Sequence, residues 1–266
     1  MRAQAEPSEM KDEAQEAETM LPPTLLAAFS EGFVFDAEGD PLPLHSNISI
    51  GDATVLYRAV REIKPKISAE VGFAQGISAL AILKALADNA SGIHHIIDPF
   101  QDHYNDIGLA MVERAGLSAW MQFHRQYADA VIPNLPDLEF GFIDSSHLFD
   151  FTVCEFVMMD RKLKIGGMIA IHNMQMPAMQ KFLRCILANR SYEMVRTFDS
   201  SGLANARRMS WAPKQFMLRA LHLIPGKERI FRAEVLTPWK SMQIQNLVVL
   251  RKTASDDRDS NFYRRF

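Results

Sequence analysis

Short β-rich runs alternate with longer helical runs from about residue 50 onward, and this alternation restricts the fold more than any other feature of the sequence. It is typical of βαβ units, in which crossover helices join parallel strands. The pattern predicts strands at 67–72, 93–98, 119–124, 138–144 and 167–172, and helices at 52–63, 77–87, 106–115, 149–163 and 177–188. Two later strands, at 192–198 and 243–251, are predicted to form an antiparallel hairpin at the sheet edge. We therefore expect an α/β fold with a doubly wound sheet of seven strands, mostly parallel, with one antiparallel edge strand.

The length of 266 residues suits one large α/β domain, for which we predict the bounds 21–252. Residues 1–20 carry six acids and are predicted to form a disordered acidic tail, and residues 253–266 a polar tail. Hydrophobic residues make up 48% of the chain, so a core can form without disulfides. We interpret the two cysteines, Cys154 and Cys185, as reduced.

The charge and the apolar pattern of the chain disfavour secretion, membrane insertion and nucleic-acid binding. The first residues lack the basic start and the apolar run of a secretory signal, and no apolar stretch reaches the roughly 18 residues of a membrane span. The formal net charge of −3 argues against a nucleic-acid-binding protein as a whole. We expect a cytoplasmic protein that acts on a small molecule, and the sequence leaves a homodimer open.

The strongest local motif is the stretch ISAEVGFAQGISAL at 67–80, in which a strand ends in an acid and glycines spaced by four precede a helix. Gly72 and Gly76 permit backbone angles that a Cβ would block, and the N-terminus of the helix presents free N–H groups to an anionic group. The motif predicts a nucleotide-like binding turn. The dinucleotide fingerprint and the Walker loop are both absent, which disfavours a nicotinamide-dependent oxidoreductase.

Polar residues also follow the next strands of the predicted sheet. Asp98 ends the second strand, where an acid can accept both ribose hydroxyls, and Phe100 can lie against a purine. Asp144 and His147 follow the fourth strand, and the pair His172–Asn173 follows the fifth. Because the carboxyl ends of parallel strands share one rim, we expect these groups to lie together.

In this order, the motifs resemble the class I methyltransferases, which have a Rossmann-like fold and use S-adenosylmethionine (SAM). The resemblance is closest to macrolide-sugar and cephalosporin-pathway O-methyltransferases and more distant to catechol O-methyltransferase, and it covers residues 45–198. It implies that Glu70, Gly72, Gly76 and Ser78 bind the methionine part of the cofactor, and that Asp98 binds the ribose.

The resemblance also implies a metal site and an adenine contact. Asp144 matches the acid that begins the metal site of metal-dependent members, and His172 and Asn173 match the pair that completes it. Asp144 is then the only carboxylate of the set, which disfavours Mg²⁺ and leaves a softer divalent ion open. Ala128 stands where relatives often have a serine near the adenine, and Glu155 replaces a common aspartate.

Methyl transfer to a hydroxyl requires a base, and the sequence offers two histidines for it. His147 is the first choice, because it falls where catechol O-methyltransferase has its basic lysine and because an imidazole titrates near neutral pH. His172 is the second, either as base or as metal ligand.

Two alternatives remain open. A basic insertion is predicted at about 203–238, and seven basic residues between 207 and 232 would suit an RNA-directed methyltransferase or an RNA-binding module. A cofactor-binding protein without catalysis would keep the glycines but lose the polar groups on the acceptor side. The chain keeps those groups, so we favour an enzyme.

Overall fold

The computed structural model describes residues 17–45, 47–195, 246–262 and 264. Its main sheet has seven strands: β3 (Ile67–Val71), β4 (Ile93–Ile97), β5 (Met121–His124), β6 (Leu138–Ile143), β7 (Leu163–Ile171), β8 (Tyr192–Met194) and β9 (Val248–Lys252). A separate two-stranded sheet consists of β1 (Phe33–Phe35) and β2 (Pro41–Pro43). The α-helices are α1 (Pro23–Glu31), α2 (Ile50–Ile63), α3 (Ile77–Asn89), α4 (Ile107–Arg114), α5 (Ala128–Val131), α6 (Phe149–Lys162) and α7 (Pro177–Asn189).

The strand order in the main sheet is β5-β4-β3-β6-β7-β9-β8. Strands β3 to β7 pair in parallel, and β9 pairs antiparallel with both β7 and β8. The predicted seven-stranded, mostly parallel sheet with one antiparallel strand at this edge is thus confirmed. The order reverses beside β3, where a doubly wound sheet leaves a crevice for a ligand at the carboxyl ends of its strands.

Successive side chains of a strand point to opposite faces of the sheet, so each strand contributes residues to two hydrophobic cores. On β6, Phe140 and Phe142 pack on the side of α2 and α3, whereas Ile143 packs on the side of α6 and α7. Each side chain of this size that leaves water stabilises the fold by about 1.5–3 kcal/mol. The two-residue period of a strand therefore fixes which face each residue takes.

Several predicted boundaries change in the structure. The strand predicted at 119–124 begins only at Met121, because Ser118–Trp120 forms a 3-10 turn. The strand predicted at 167–172 begins earlier, at Leu163, and its pairing with β6 shifts register between Leu138 and Phe140. The later strands are described at Tyr192–Met194 and Val248–Lys252. Residues 196–245, and with them the predicted basic insertion, lie outside the described residues.

The folded part also begins before the predicted start at residue 21. Residues 17–20 are helical, and Ala17 is only 1% exposed because it packs into the core that contains α1. Within the described residues, no helix is long and apolar enough to cross a membrane.

One glycine permits the closest backbone approach near the rim. Gly72 follows β3 with a φ of +92°, and a Cβ built on it would lie 2.3 Å from the carbonyl oxygen of Asp144. The two backbones can meet only because this side chain is absent. The end of β3 therefore lies directly against the end of β6.

We expect Gly72→Ala to destabilise the protein strongly. Gly116 is a matched control, since it also has a positive φ, +68°, but has nothing within 4 Å of an added Cβ. Gly116→Ala should cost only the strain of a left-handed alanine, about 1–2 kcal/mol. Gly72→Ala should cost about 1–3 kcal/mol more, the usual penalty of overpacking. Urea denaturation of both variants measures the difference, and equal losses would contradict the steric argument.

Candidate active site

A cavity of about 990 Å³ opens at the carboxyl ends of β3, β4, β6 and β7. Its volume is at the upper end of the roughly 300–1,000 Å³ usual for small-molecule sites. Nine of the predicted site residues line it: Gly72, Ser78, Asp98, Phe100, Ala128, Asp144, His147, His172 and Asn173. Residues from four separate motifs therefore share one space.

Glu70 and Gly76, the other two predicted site residues, do not line the cavity. Glu70 is fully buried beneath the turn, where the Ser78 hydroxyl donates to its carboxylate at 3.1 Å and His94 Nε2 lies 3.6 Å away. Burial raises the pKa of Glu70. Gly76 caps α3 with a φ of +82° and packs against the backbone of Gly108. Both residues support the turn from behind, and a direct cofactor contact for either stays a prediction.

Asp98 holds the glycine turn in shape. One of its carboxylate oxygens accepts the backbone N–H groups of Phe73 and Ala74, each at 3.0 Å, and the other accepts that of Phe100 at 2.7 Å. Backbone donors aimed at a carboxylate fix its position without a counter-charge. The aspartate still lines the cavity, so the predicted ribose contact remains compatible with this arrangement.

Aromatic side chains surround the cavity next to Asp98, and the sequence reasoning identified only one of them. Phe100 lies 5.7 Å from the ring of His103 and 5.8 Å from that of Tyr127, edge to face. Tyr104 lines the same wall. Aromatic faces of this kind suit a purine ring.

His172 is held on both of its ring nitrogens. Nδ1 lies 2.9 Å from an Asp144 carboxylate oxygen, and Nε2 lies 2.7 Å from the Asn246 carboxamide and 3.6 Å from Asp52. Burial lowers the pKa of His172, but the contacts with Asp144 and Asp52 outweigh it and raise the pKa to about 9. The imidazole therefore has no free nitrogen with which to remove a proton.

Asp52 and Asn246 are the site residues that the sequence reasoning missed. Asp52 lies in the first turn of α2, where its carboxylate accepts the hydroxyl proton of Ser49 at 2.7 Å in a capping box. That motif explains Asp52 as a helix cap and gives no hint of His172. Asn246 precedes β9, and 74 residues separate it from its partner. Neither contact could be inferred from local spacing.

His147 is the more open of the two histidines. Its side chain is 40% exposed, and its Nδ1 lies 2.8 Å from the Asn173 carboxamide and 3.7 Å from Asp144. Both His147 and Asn173 have a positive φ, +58° and +57°. Non-glycine residues in this conformation are uncommon, and they cluster at functional sites. His147 lines the cavity, and no other described residue is hydrogen-bonded to its second ring nitrogen, Nε2.

The donors at Asp144, His172 and Asn173 do not fit a divalent metal. His172 is engaged on both nitrogens and the Asn173 carboxamide is engaged by His147, which leaves Asp144 as the one anionic donor. Mg²⁺ favours several charged oxygen ligands. Within the described parts of the chain, no three histidine, cysteine, aspartate or glutamate side chains are arranged to hold a metal ion.

Glu155 is a nearly buried carboxyl group on the cavity wall. It projects from α6, is 7% exposed, and accepts the hydroxyl proton of Ser145 at 2.7 Å. Burial raises the pKa of Glu155 to about 7, and the bond from Ser145 opposes this shift. Near neutral pH, the group therefore changes between a neutral acid and a carboxylate.

Residues 69–174 match the methyltransferase domain family. The matched segment begins within β3 and ends just after β7, so it includes the predicted site residues from Glu70 to Asn173. The match covers this central part of the chain, 106 of its 266 residues. The predicted enzyme class, a SAM-dependent methyltransferase, is confirmed. The sequence has no match among curated proteins.

Solved structures resemble this methyltransferase in fold. The O-methyltransferase TomG of Streptomyces achromogenes, solved with SAM, is 13% identical, with a TM-score of 0.52 over 70% of this chain and 87% of that one. A Podospora anserina methyltransferase bound to S-adenosylhomocysteine (SAH) is 13% identical, with a TM-score of 0.54 over 73% and 92%. An O-methyltransferase of Bacillus cereus, also with SAH, is 16% identical, with a TM-score of 0.50 over 71% and 83%.

We expect Glu155→Gln to change how the stability of the methyltransferase depends on pH. The pKa of Glu155 is raised from 4.5 to about 7, so between these pH values the unfolded chain loses a proton that the folded chain keeps. The native protein therefore loses stability as the pH rises through this window, by on the order of 2 kcal/mol between pH 5 and 8. Glutamine does not titrate, so the variant should lose correspondingly less over the same range.

Urea denaturation at pH 5 and at pH 8 measures this difference. Glu113→Gln, which removes an exposed carboxylate on α4, is the control and should follow the native protein. Parallel stability curves for Glu155→Gln and the native protein would contradict the assignment.

Proposed function

We propose that this protein transfers the methyl group of SAM to a hydroxyl group of a small-molecule acceptor. The observation that carries the proposal is the single cavity, in which the glycine turn and Asp98 face the polar groups that follow β6 and β7. A site for a donor and a site for an acceptor are thereby contiguous, as a direct transfer between two bound molecules requires.

The cofactor half of the site has three parts. The methionine end of SAM would lie over Gly72 and Ser78, next to the start of α3. The ribose would hydrogen-bond to Asp98, and the adenine would lie between Phe100 and Ala128. Similar folds solved with SAM or SAH support this placement.

His147 is our proposed base, in preference to His172. His147 lines the cavity and its Nε2 has no hydrogen bond within the described residues, whereas both nitrogens of His172 are engaged. A base at Nε2 needs the proton of the neutral ring on Nδ1, where the oxygen of the Asn173 carboxamide can accept it. The structure has the amide nitrogen of Asn173, Nδ2, at 2.8 Å from Nδ1, and a half-turn of the carboxamide would put its oxygen there instead. Asn173 would then select the active tautomer of His147.

The reaction is an in-line displacement at the methyl carbon. SAM bound there would supply an electrophilic methyl group: the acceptor oxygen would bond to its carbon as the bond to the sulfonium sulfur breaks, and SAH would be released. The hydroxyl proton passes to Nε2 of His147. Because the donors at Asp144, His172 and Asn173 do not fit a metal, the proposal uses no divalent ion.

Other expectations from the sequence remain predictions. They concern a cytoplasmic location, the oligomeric state, and the low affinity for nucleic acid. The basic stretch at 207–232 lies outside the described residues, so the RNA-directed alternative has to be tested by a binding experiment. Retention on heparin that weakens steeply with salt would favour that alternative.

We expect the purified protein to bind SAM and SAH with micromolar affinity, because a preformed cavity with a fixed ribose acceptor needs little reorganisation. Calorimetric titration with each ligand tests this, with EDTA present and then with added Mg²⁺, Mn²⁺ or Zn²⁺. The affinities should be the same in all conditions. Failure to bind either ligand would overturn the cofactor assignment, and methyl transfer that requires a metal would overturn the metal-free site.

We expect His147→Asn to abolish most of the turnover while SAH affinity stays within about threefold. Asparagine tolerates the left-handed backbone at this position and thus spares the fold, but it cannot act as a base. Loss of a general base lowers turnover by about 10²–10⁴-fold. Transfer of a radiolabelled methyl group under single-turnover conditions measures the chemical step. His147→Ala also lacks the base but adds backbone strain, so a difference between the two variants measures the effect of strain on folding. A large loss of SAH affinity in His147→Asn would contradict the assignment.

A further inference from the structure

Exposed apolar side chains are concentrated at the cavity. Nine large hydrophobic residues are exposed in the described part of the chain, and five of them line the cavity: Phe100, Tyr127, Leu148, Phe151 and Met176. Single exposed apolar residues are normal on a protein surface, but contiguous ones mark a binding site. A cavity lined in this way favours a ligand that has apolar surface of its own.

Phe100 and Tyr127 belong to the aromatic side next to Asp98, and the other three lie on the acceptor side. Leu148 and Phe151 come from the start of α6 and are each 55% exposed, and Met176, just before α7, is 42% exposed. We call Leu148, Phe151 and Met176 the apolar wall. Leu148 directly follows His147, so the wall begins beside the proposed base.

Two hydrogen-bonded polar pairs line the cavity together with this wall. His147 and Asn173 are hydrogen-bonded to each other, and Asp144 is paired with His172. One polar group of an acceptor can therefore be bound at His147 while the rest of that molecule meets leucine, phenylalanine and methionine. A sugar, which carries hydroxyls on all sides, would lose water along the wall without regaining hydrogen bonds.

From this arrangement we infer that the acceptor is a hydroxylated molecule with an apolar body, aromatic or alkyl, whose carbon skeleton covers Leu148, Phe151 and Met176. The inference rests on the proposed function and narrows its substrate class. The hydroxyl gives its proton to His147 and its oxygen receives the methyl group, while the apolar body makes no bond and contributes binding alone.

The test is binding of 4-alkylphenols, from 4-ethylphenol to 4-hexylphenol, to the protein saturated with SAH. Each methylene that leaves water is worth about 0.8 kcal/mol, so Kd should fall about three- to fourfold per added carbon. Methyl glucoside serves as the polar probe and should bind more weakly than every alkylphenol. Calorimetry measures both sets, and it does not require that these phenols be turned over.

Leu148→Asn locates the binding at the wall. Leu148 is the N-cap of α6, a position that asparagine favours, so this change should leave the helix and the fold intact. Kd for 4-hexylphenol should rise by about tenfold, and the gain per carbon should shrink. Ile165→Asn is the matched control, because it removes an aliphatic residue that is 61% exposed near the start of β7, away from the cavity. This control should bind the series as the native protein does.

Three results would overturn the inference. They are a Kd that does not change with chain length, tighter binding of methyl glucoside, or an equal effect of Leu148→Asn and Ile165→Asn. SAH binding is measured first in every sample, so that a failure of the proposed function can be distinguished from a failure of the inferred acceptor class. Absence of SAH binding would remove the proposed function, whereas SAH binding with a flat alkylphenol series would remove only the acceptor class.

Discussion

The approach of two backbones at Gly72 is the constraint on which the site depends. The glycine turn belongs to β3 and the acceptor-side aspartate follows β6, and an added Cβ at Gly72 would lie 2.3 Å from the Asp144 carbonyl oxygen. With the Cβ absent, the two strand ends touch, and the residues that we propose bind the cofactor and the acceptor line one cavity. The same turn is tied to β4 through Asp98, which accepts the N–H groups of Phe73 and Ala74. Three neighbouring strands thereby share one rigid rim.

The environment gives the two histidines of the rim different chemistry. His172 lies between carboxylates and a carboxamide, so it acts as a fixed link that connects α2, β6 and the residues before β9. His147 is hydrogen-bonded at Nδ1, and no other described residue is hydrogen-bonded to its Nε2. The difference comes from contacts across the sheet and not from residue type, since both are histidines that follow a strand. Preorganisation of this kind would hold the proposed base, His147, in place.

The sequence was sufficient for what depends on periodicity and on motifs. Apart from the short helix α5, the strands and α-helices from β3 to α7 follow from the alternation of apolar runs, because burial on both faces of a parallel sheet leaves a clear pattern. Nine of the eleven predicted site residues line the cavity, because a motif places residues at the carboxyl end of a strand. Glu70 departs from this rule, since alternate residues of a strand face opposite ways and this one points into the core below the turn. Asp52 and Asn246 could not be found, because their roles arise from contacts with a residue that is distant in sequence.

The place of Asn246 in the rim also bears on how the protein is made. Strands β3 to β7 and the glycine turn are complete once residue 174 has been synthesised, yet the partner of His172 Nε2 comes more than 70 residues later, just before a strand that inserts between β7 and β8. A growing chain can thus assemble its cofactor turn while the acceptor side still lacks one of its supports. A chain that ended before β9 would keep every residue of the glycine turn but would lack the Asn246 contact with His172.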